Sequence, residues 1–141
     1  MALSSQSIRQ AAAIPLRGSH LCLVTSRSGK RWVIPKGNME PGKTAGEIAL
    51  QEAWEEAGLT GILQRDPVGS YLYEKLGNTY HVIVYQMRVT AVADDWPEIS
   101  FRERSWLTLP QAVVRIDDPG LRAIIHGTSV ADKSTRRVRV S

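Results

Sequence analysis

The stretch Thr44-Ala45-Gly46-Glu47 constrains the fold most, because it marks where the best-defined helix of the chain begins. A Thr hydroxyl followed three residues later by a Glu carboxylate makes a capping box, in which each side chain satisfies an orphan backbone donor at a helix start. Gly58 is a natural stop. Between these ends, at about 100° per residue, Leu50, Ala53, Trp54 and Ala57 fall on one side and Glu52, Glu55 and Glu56 fall together opposite. The helix is expected to bury the first face and present the second as an acidic one.

Around this helix the chain reads mostly as strands. Gln10 to Leu16 and His20 to Thr25 are apolar segments of strand length joined by Arg17-Gly18-Ser19, which predicts a hairpin. Arg31 to Ile34 follows the turn signal Ser28-Gly29 and stops at Pro35-Lys36-Gly37, where a Gly- and Pro-containing loop begins. Tyr71 to Leu76 and Thr79 to Val89 flank Gly77-Asn78 as a second hairpin, and Leu109 to Ile116 and Leu121 to His126 read as short helices. Strands interleaved with few helices predict an α/β or α+β sandwich rather than a bundle. With 141 residues and no internal repeat there is room for one domain. The expected division is a flexible arm over residues 1–8, the domain over 9–128, and a basic flexible tail over 129–141.

Composition excludes several classes. No apolar run approaches the roughly 18 residues that span a bilayer, and Met1 to Ala13 lacks a signal-peptide core, so no membrane role is expected. The single Cys22 rules out an internal disulfide and a zinc finger, and fits a reducing, cytoplasmic setting. Eighteen Lys and Arg against fourteen Asp and Glu give a net charge of +4. Lys133, Arg136, Arg137 and Arg139 against Asp132 place three of those charges in the tail, leaving a nearly neutral body. That distribution weakens the case for a nucleic-acid partner relative to another polyanionic ligand.

Three glutamates at spacings of three and four repel one another by a few tenths of a kcal/mol for each pair, about 0.3, so something should offset that cost. An ordinary solvated acidic face is one answer and a bound divalent cation is the other. Mg²⁺ takes hard oxygen ligands and keeps several waters, and the glycine-bearing loop before the helix can add a backbone carbonyl.

These residues resemble a known family. Gly37, then Glu52, Glu55, Glu56, Gly58 and Leu59 reproduce most of the Nudix box in an ungapped 23-residue window from Gly37 to Leu59. Arg31-Trp32-Val33-Ile34-Pro35-Lys36-Gly37 followed by Met39-Glu40-Pro41, together with Asp95-Trp96, Trp106 and Ala112, is similar to diphosphoinositol polyphosphate and diadenosine polyphosphate hydrolases. The likeness covers about Arg9 to Gly127. It implies an α/β/α sandwich with a mixed central sheet and the box as loop-helix-loop, and a hydrolase that cleaves phosphoanhydride bonds with Mg²⁺ or Mn²⁺. By the same resemblance Glu52, Glu55, Glu56 and the Gly37 carbonyl hold the metal and the glutamates are the catalytic residues, with Glu56 the choice for the base. The substrate implied is a small-molecule (di)nucleoside or diphosphoinositol polyphosphate, turned over by a monomer or homodimer. Nucleotide-sugar and RNA 5′-pyrophosphate hydrolysis are the alternatives, as is a weakened member that only binds nucleotides.

Lys43 stands where the box has Glu, and Gln51 where it has Arg. Loss of one acid and one base together suggests that these two positions support each other. Arg9, Arg27, Arg31 and Lys36, with Lys30 nearby, sit on or near the early strands and the box entry, and His81 enters the second hairpin strand; all but Lys30 are candidate substrate contacts. Tyr71, Tyr73, Tyr80 and Tyr85 at strand spacing are expected to pack the sheet, while His20 and His126 are expected to be structural or exposed. Asp94, Asp95, Glu98 and Glu103 read first as solvated loop charges, and if the later loop supplies a further acidic ligand, as the resemblance allows, Glu103 is the favoured source.

Overall fold

The computed structural model describes residues 5–128, so the basic tail lies outside the described residues. In chain order the elements are β1 Ser7–Arg17, β2 His20–Thr25, β3 Trp32–Val33, β4 Lys36–Asn38, α1 Ala45–Ala57, β5 Leu59–Leu63, β6 Gly69–Lys75, β7 Asn78–Val92, β8 Arg104–Thr108 and α2 Leu109–Arg115. A last helix, α3, occupies residues 119–128. β1 begins at Ser7, within the stretch read from sequence as an arm.

The strands form one mixed sheet with the order β3-β2-β1-β7-β5, while β4, β6 and β8 pair with β1, β7 and β2 respectively. β1 and β7 run parallel from Ser7↔Thr79 to Leu16↔Arg88, and the other pairings are antiparallel. β1 explains why the sheet is covered twice. Ala11 and Ala13 face a core with Ile48, Ala49, Ala53 and Ala57 of α1, whereas Ala12 and Ile14 face one with Ala112, Leu121 and Ile125 of α2 and α3. Alternate residues of a strand point to opposite faces, so an unbroken buried run marks a strand with helices on both sides. The arrangement is an α/β/α sandwich.

Both hairpins are present, each with a two-residue loop. Arg17↔His20 closes the first, and Lys75↔Asn78 closes the second around Leu76-Gly77. The turn centre thus lies one residue before the expected Gly77-Asn78. Both central residues have positive φ, 51° and 81°, as a primed turn requires.

Three strands were not expected from the sequence. β4 forms where the sequence reads as a loop, pairing Ala12↔Lys36, Ala11↔Gly37 and Gln10↔Asn38. β5 carries an irregularity at Thr60/Gly61, where a side chain at residue 61 would collide with the Arg88 carbonyl. β8 pairs with β2 from Val24↔Arg104 to His20↔Thr108.

Candidate active site

The box helix forms as its ends dictate. The Thr44 N–H donates to Glu47 Oε1 at 2.8 Å, the Glu47 N–H donates to Thr44 Oγ1 at 3.1 Å, and Gly58 caps the other end with φ 67°. Its faces differ from the sequence expectation. Glu56 is only 6% exposed, whereas Trp54 is 41% exposed. The core seam runs Ala49, Ala53, then both Glu56 and Ala57, so steps of four and three carry Glu56 inward.

Burial alters the chemistry of this carboxylate. Desolvation, the main cause, pushes Glu56 up to about 8; the Arg102 guanidinium opposes this, and neighbouring Glu52 adds to it. Glu52 is also raised, mainly by desolvation, while its hydrogen bond with Glu56 opposes the shift and Glu55 and Glu98 reinforce it. Two carboxyls sharing one site cannot both ionise freely unless a cation joins them. β4 brings Gly37 against the same group: a Cβ on residue 37 would lie 2.5 Å from Glu52 Cδ. Only glycine leaves that space to the carboxyl.

The carboxyls of Glu52 and Glu56 therefore meet beside the Gly37 backbone, and such hard oxygens suit a divalent cation. Glu55 contributes charge near Glu52. Among the described residues, no three His, Cys, Asp or Glu side chains already surround a single ion position.

Sequence reasoning missed Arg102, whose side chain is 8% exposed. Its Nη2 lies 3.6 Å from Glu56 Oε2 and 2.9 Å from Glu98 Oε1, and its Nη1 donates to the Thr25 carbonyl at 2.9 Å. The signal was present as Glu98 and Arg102 four residues apart, but a segment without a helical pattern gave no reason to pair them. Of the later acids, Glu98 rather than Glu103 acts on Glu52; Glu103 is exposed and uses its backbone N–H to bond Thr25 Oγ1.

The substrate candidates separate into groups. Arg31 and Lys36 line a cavity of about 240 Å³ together with Trp32, Tyr73, Asp117 and Asp118. Lys36 is held below its ordinary value by burial, which the Glu56 charge partly offsets, and its Nζ lies 5.4 Å from the Tyr73 ring centre. Arg27 is exposed on the turn after β2, its guanidinium 5.1 Å from the Phe101 ring. Arg9 and His81 are register partners on β1 and β7, in the row alternate to Gln10 and Val82, and do not line the cavity. Lys30 is exposed, its N–H 3.4 Å from Ser28 Oγ. Tyr73 and Tyr80 stack with ring centres 4.7 Å apart, and the Tyr73 hydroxyl donates to Gln10, which accords with sheet packing.

Lys43 and Gln51 meet. The Lys43 ammonium donates to Gln51 Oε1, and Gln51 Nε2 donates to Glu40 Oε2 at 3.1 Å and reaches Glu52 Oε2 at 3.4 Å.

The NUDIX domain model matches residues 7–126. The chain belongs to the Nudix family. Curated Nudix relatives include Nudix hydrolase 12, mitochondrial, of Arabidopsis thaliana, 35% identical over 64% of this chain and 49% of that protein. Diphosphoinositol polyphosphate phosphohydrolase 3-beta of Bos taurus is 34% identical over 66% of this chain and 57% of that protein. The chain thus spans about half the length of these relatives. Among solved structures, a C. elegans Ap4A hydrolase superposes with a TM-score of 0.73 at 21% identity, over 89% of this chain and 98% of that one. A NUDIX hydrolase from Nitrosomonas europaea gives 0.77 at 17% identity, over 89% and 90%. These structural likenesses show the Nudix fold. Among the described residues no helix is long and apolar enough to cross a membrane.

Proposed function

We propose that this chain hydrolyses phosphoanhydride bonds with Mg²⁺ or Mn²⁺, and that its substrate carries a nucleoside rather than an inositol ring. Glu52, Glu55, Glu56 and the Gly37 carbonyl would hold the metal. Once bound, the cation supplies charge neutralisation on phosphoryl oxygens that otherwise repel a nucleophile. Arg31 and Lys36 orient the phosphate chain, and the Glu56 carboxylate accepts the proton of the attacking water.

The cavity carries the choice of substrate. Trp32, half-buried beside Tyr73, gives the lining an aromatic side chain that suits a planar base, while the acids Glu74, Asp117 and Asp118 balance the cations Arg31, Lys36 and Lys75 and so disfavour a ring substituted with phosphates all round. Lys36 both lines this cavity and acts electrostatically on Glu56, so a phosphate chain leaving the cavity passes from a cation toward the carboxylates. The similarity to proteins named as an Ap4A hydrolase and as diphosphoinositol polyphosphate phosphohydrolases supports the broader class.

Comparing kcat/KM for a dinucleoside tetraphosphate and a diphosphoinositol polyphosphate tests the reading. The nucleotide should be preferred, and preference for the inositol compound would contradict it. A nucleotide-binding role without turnover is the second reading, favoured by the altered Lys43 and Gln51; it predicts ligand-induced stabilisation without product release.

A further inference from the structure

The last turn of α1 has an electrostatic problem. Its carbonyls form the negative end of the helix dipole, two of its residues are Glu55 and Glu56, and it contains no basic side chain. Acids at a helix C-terminus are disfavoured, and the final carbonyls of a helix lack partners of their own. The remedy comes from a distant part of the chain.

Residues 93–104 bond four successive carbonyls. The Glu98 N–H donates to Glu55 O at 3.0 Å, Trp96 Nε1 to Glu56 O at 3.0 Å, Arg104 Nη1 to Ala57 O at 3.0 Å, and the Ala93 N–H to Gly58 O at 2.9 Å. The two side-chain donors also order each other, with the Arg104 guanidinium 4.0 Å from the Trp96 ring centre. Gly58 completes the joint: a Cβ there would lie 2.9 Å from Trp96 side-chain atoms. Its glycine serves both the left-handed backbone and close approach of the indole.

We propose that Trp96 and Arg104 are positioning residues that fix the backbone under Glu55 and Glu56, and so set the affinity of the carboxylate site for its divalent cation. The proposal rests on the reading of those glutamates as cation ligands. Neither side chain needs to touch the ion. Mg²⁺ demands near-ideal octahedral geometry, and for either cation a helix end free to fray would spread the carboxylates over several positions and cost binding free energy to gather them.

The sign of the effect separates positioning from bulk charge. Arg104 is a cation near a cation site, so removing its charge alone would tighten binding. Loss of positioning does the reverse. Mn²⁺ alone is titrated calorimetrically into the full chain and into Arg104→Met, Arg104→Lys and Trp96→Phe, with Tm and circular dichroism recorded for each. Trp96→Phe keeps a ring against Gly58 and Arg104 but loses the N–H, and remains decisive if Arg104→Met does not fold. The expected result is Mn²⁺ binding weakened about tenfold in Arg104→Met and Trp96→Phe, within the range for residues that support metal ligands. Arg104→Lys should recover part of the loss. At saturating Mn²⁺, substrate KM should match the wild type. A folded Arg104→Met or Trp96→Phe variant that binds Mn²⁺ as tightly as wild type, or more tightly, overturns the role of that residue. A wild-type chain that binds no Mn²⁺ removes the underlying reading, and the proposal with it.

Discussion

The carboxyl of Glu52 occupies the space that a side chain at Gly37 would need, with Cδ, Cγ and Oε1 lying 2.5, 2.8 and 2.9 Å from where that Cβ would stand. The obstructing atoms are the free end of a flexible side chain, and residue 37 lies in an ordinary strand conformation rather than at positive φ. Gly37→Ala should therefore fold normally while its methyl displaces the Glu52 carboxyl. Mn²⁺ affinity should fall about tenfold or more with Tm nearly unchanged, as calorimetric titration and thermal melting would read. Unfolding of the variant would show instead that the glycine serves the backbone.

Glu56 gives the metal-free protein a defined pH dependence. Its folded value of about 8 is above its ordinary 4.5, so over that interval the unfolded chain releases a proton that the folded chain retains. The stability contribution is complete below about 4.5 and is lost as pH climbs through about 8. Glu52, raised in the same direction, adds to the trend. In chelator, Tm should fall between pH 5 and 8, and Mn²⁺ should reverse the fall by binding the ionised carboxylates. Glu56→Gln should flatten the profile, and an equally steep slope in that variant would assign the titration elsewhere.

Lys43 and Gln51 are in contact, as the simultaneous loss of the usual Glu and Arg suggested. Gln51 also reaches Glu52, so the pair adjoins the proposed metal site. Lys43→Glu with Gln51→Arg should alter kcat/KM less than the product of the two single changes, because each single change leaves a partner unmatched. Simple additivity of the activation free energies would mean that the positions act independently.

Arg102 joins Glu56, Glu98 and the Thr25 carbonyl, linking α1 to β2 and to the segment before β8. Arg102→Met leaves two poorly solvated carboxylates and a carbonyl without their donor. Breaking such a pair from one side costs about 3 kcal/mol or more. Urea denaturation in chelator should show a larger loss at pH 8 than at pH 5, since a protonated Glu56 needs the guanidinium less. An equal loss at both pH values would place the effect in packing.

The sequence carried the capped helix, both hairpins and the two helices after β8, because caps, turns and apolar patterning are local. It did not carry β4, whose Lys-Gly-Asn becomes a strand only through pairing with β1. The burial of Glu56 was hidden for a related reason. On the helix alone Trp54 looks apolar and Glu56 polar, and their exchange depends on the sheet beneath and on the segment carrying Trp96 and Arg102. Glu52, Glu55 and Gly37 were legible from spacing and resemblance, whereas Arg102 and Arg104 reach the helix from about 45 residues away along the chain. Contacts that distant are made by topology, which no local pattern reports.

Release of phosphate products from a dinucleoside tetraphosphate, measured with Mg²⁺ or Mn²⁺, in chelator, and for Glu56→Gln with metal, tests the central claim most directly. Turnover should require the cation and fall at least about a hundredfold in Glu56→Gln. Turnover that persists in chelator or survives that substitution would contradict the account. Absence of turnover under every condition, with the same nucleotide raising Tm, would leave a binding protein in place of a hydrolase.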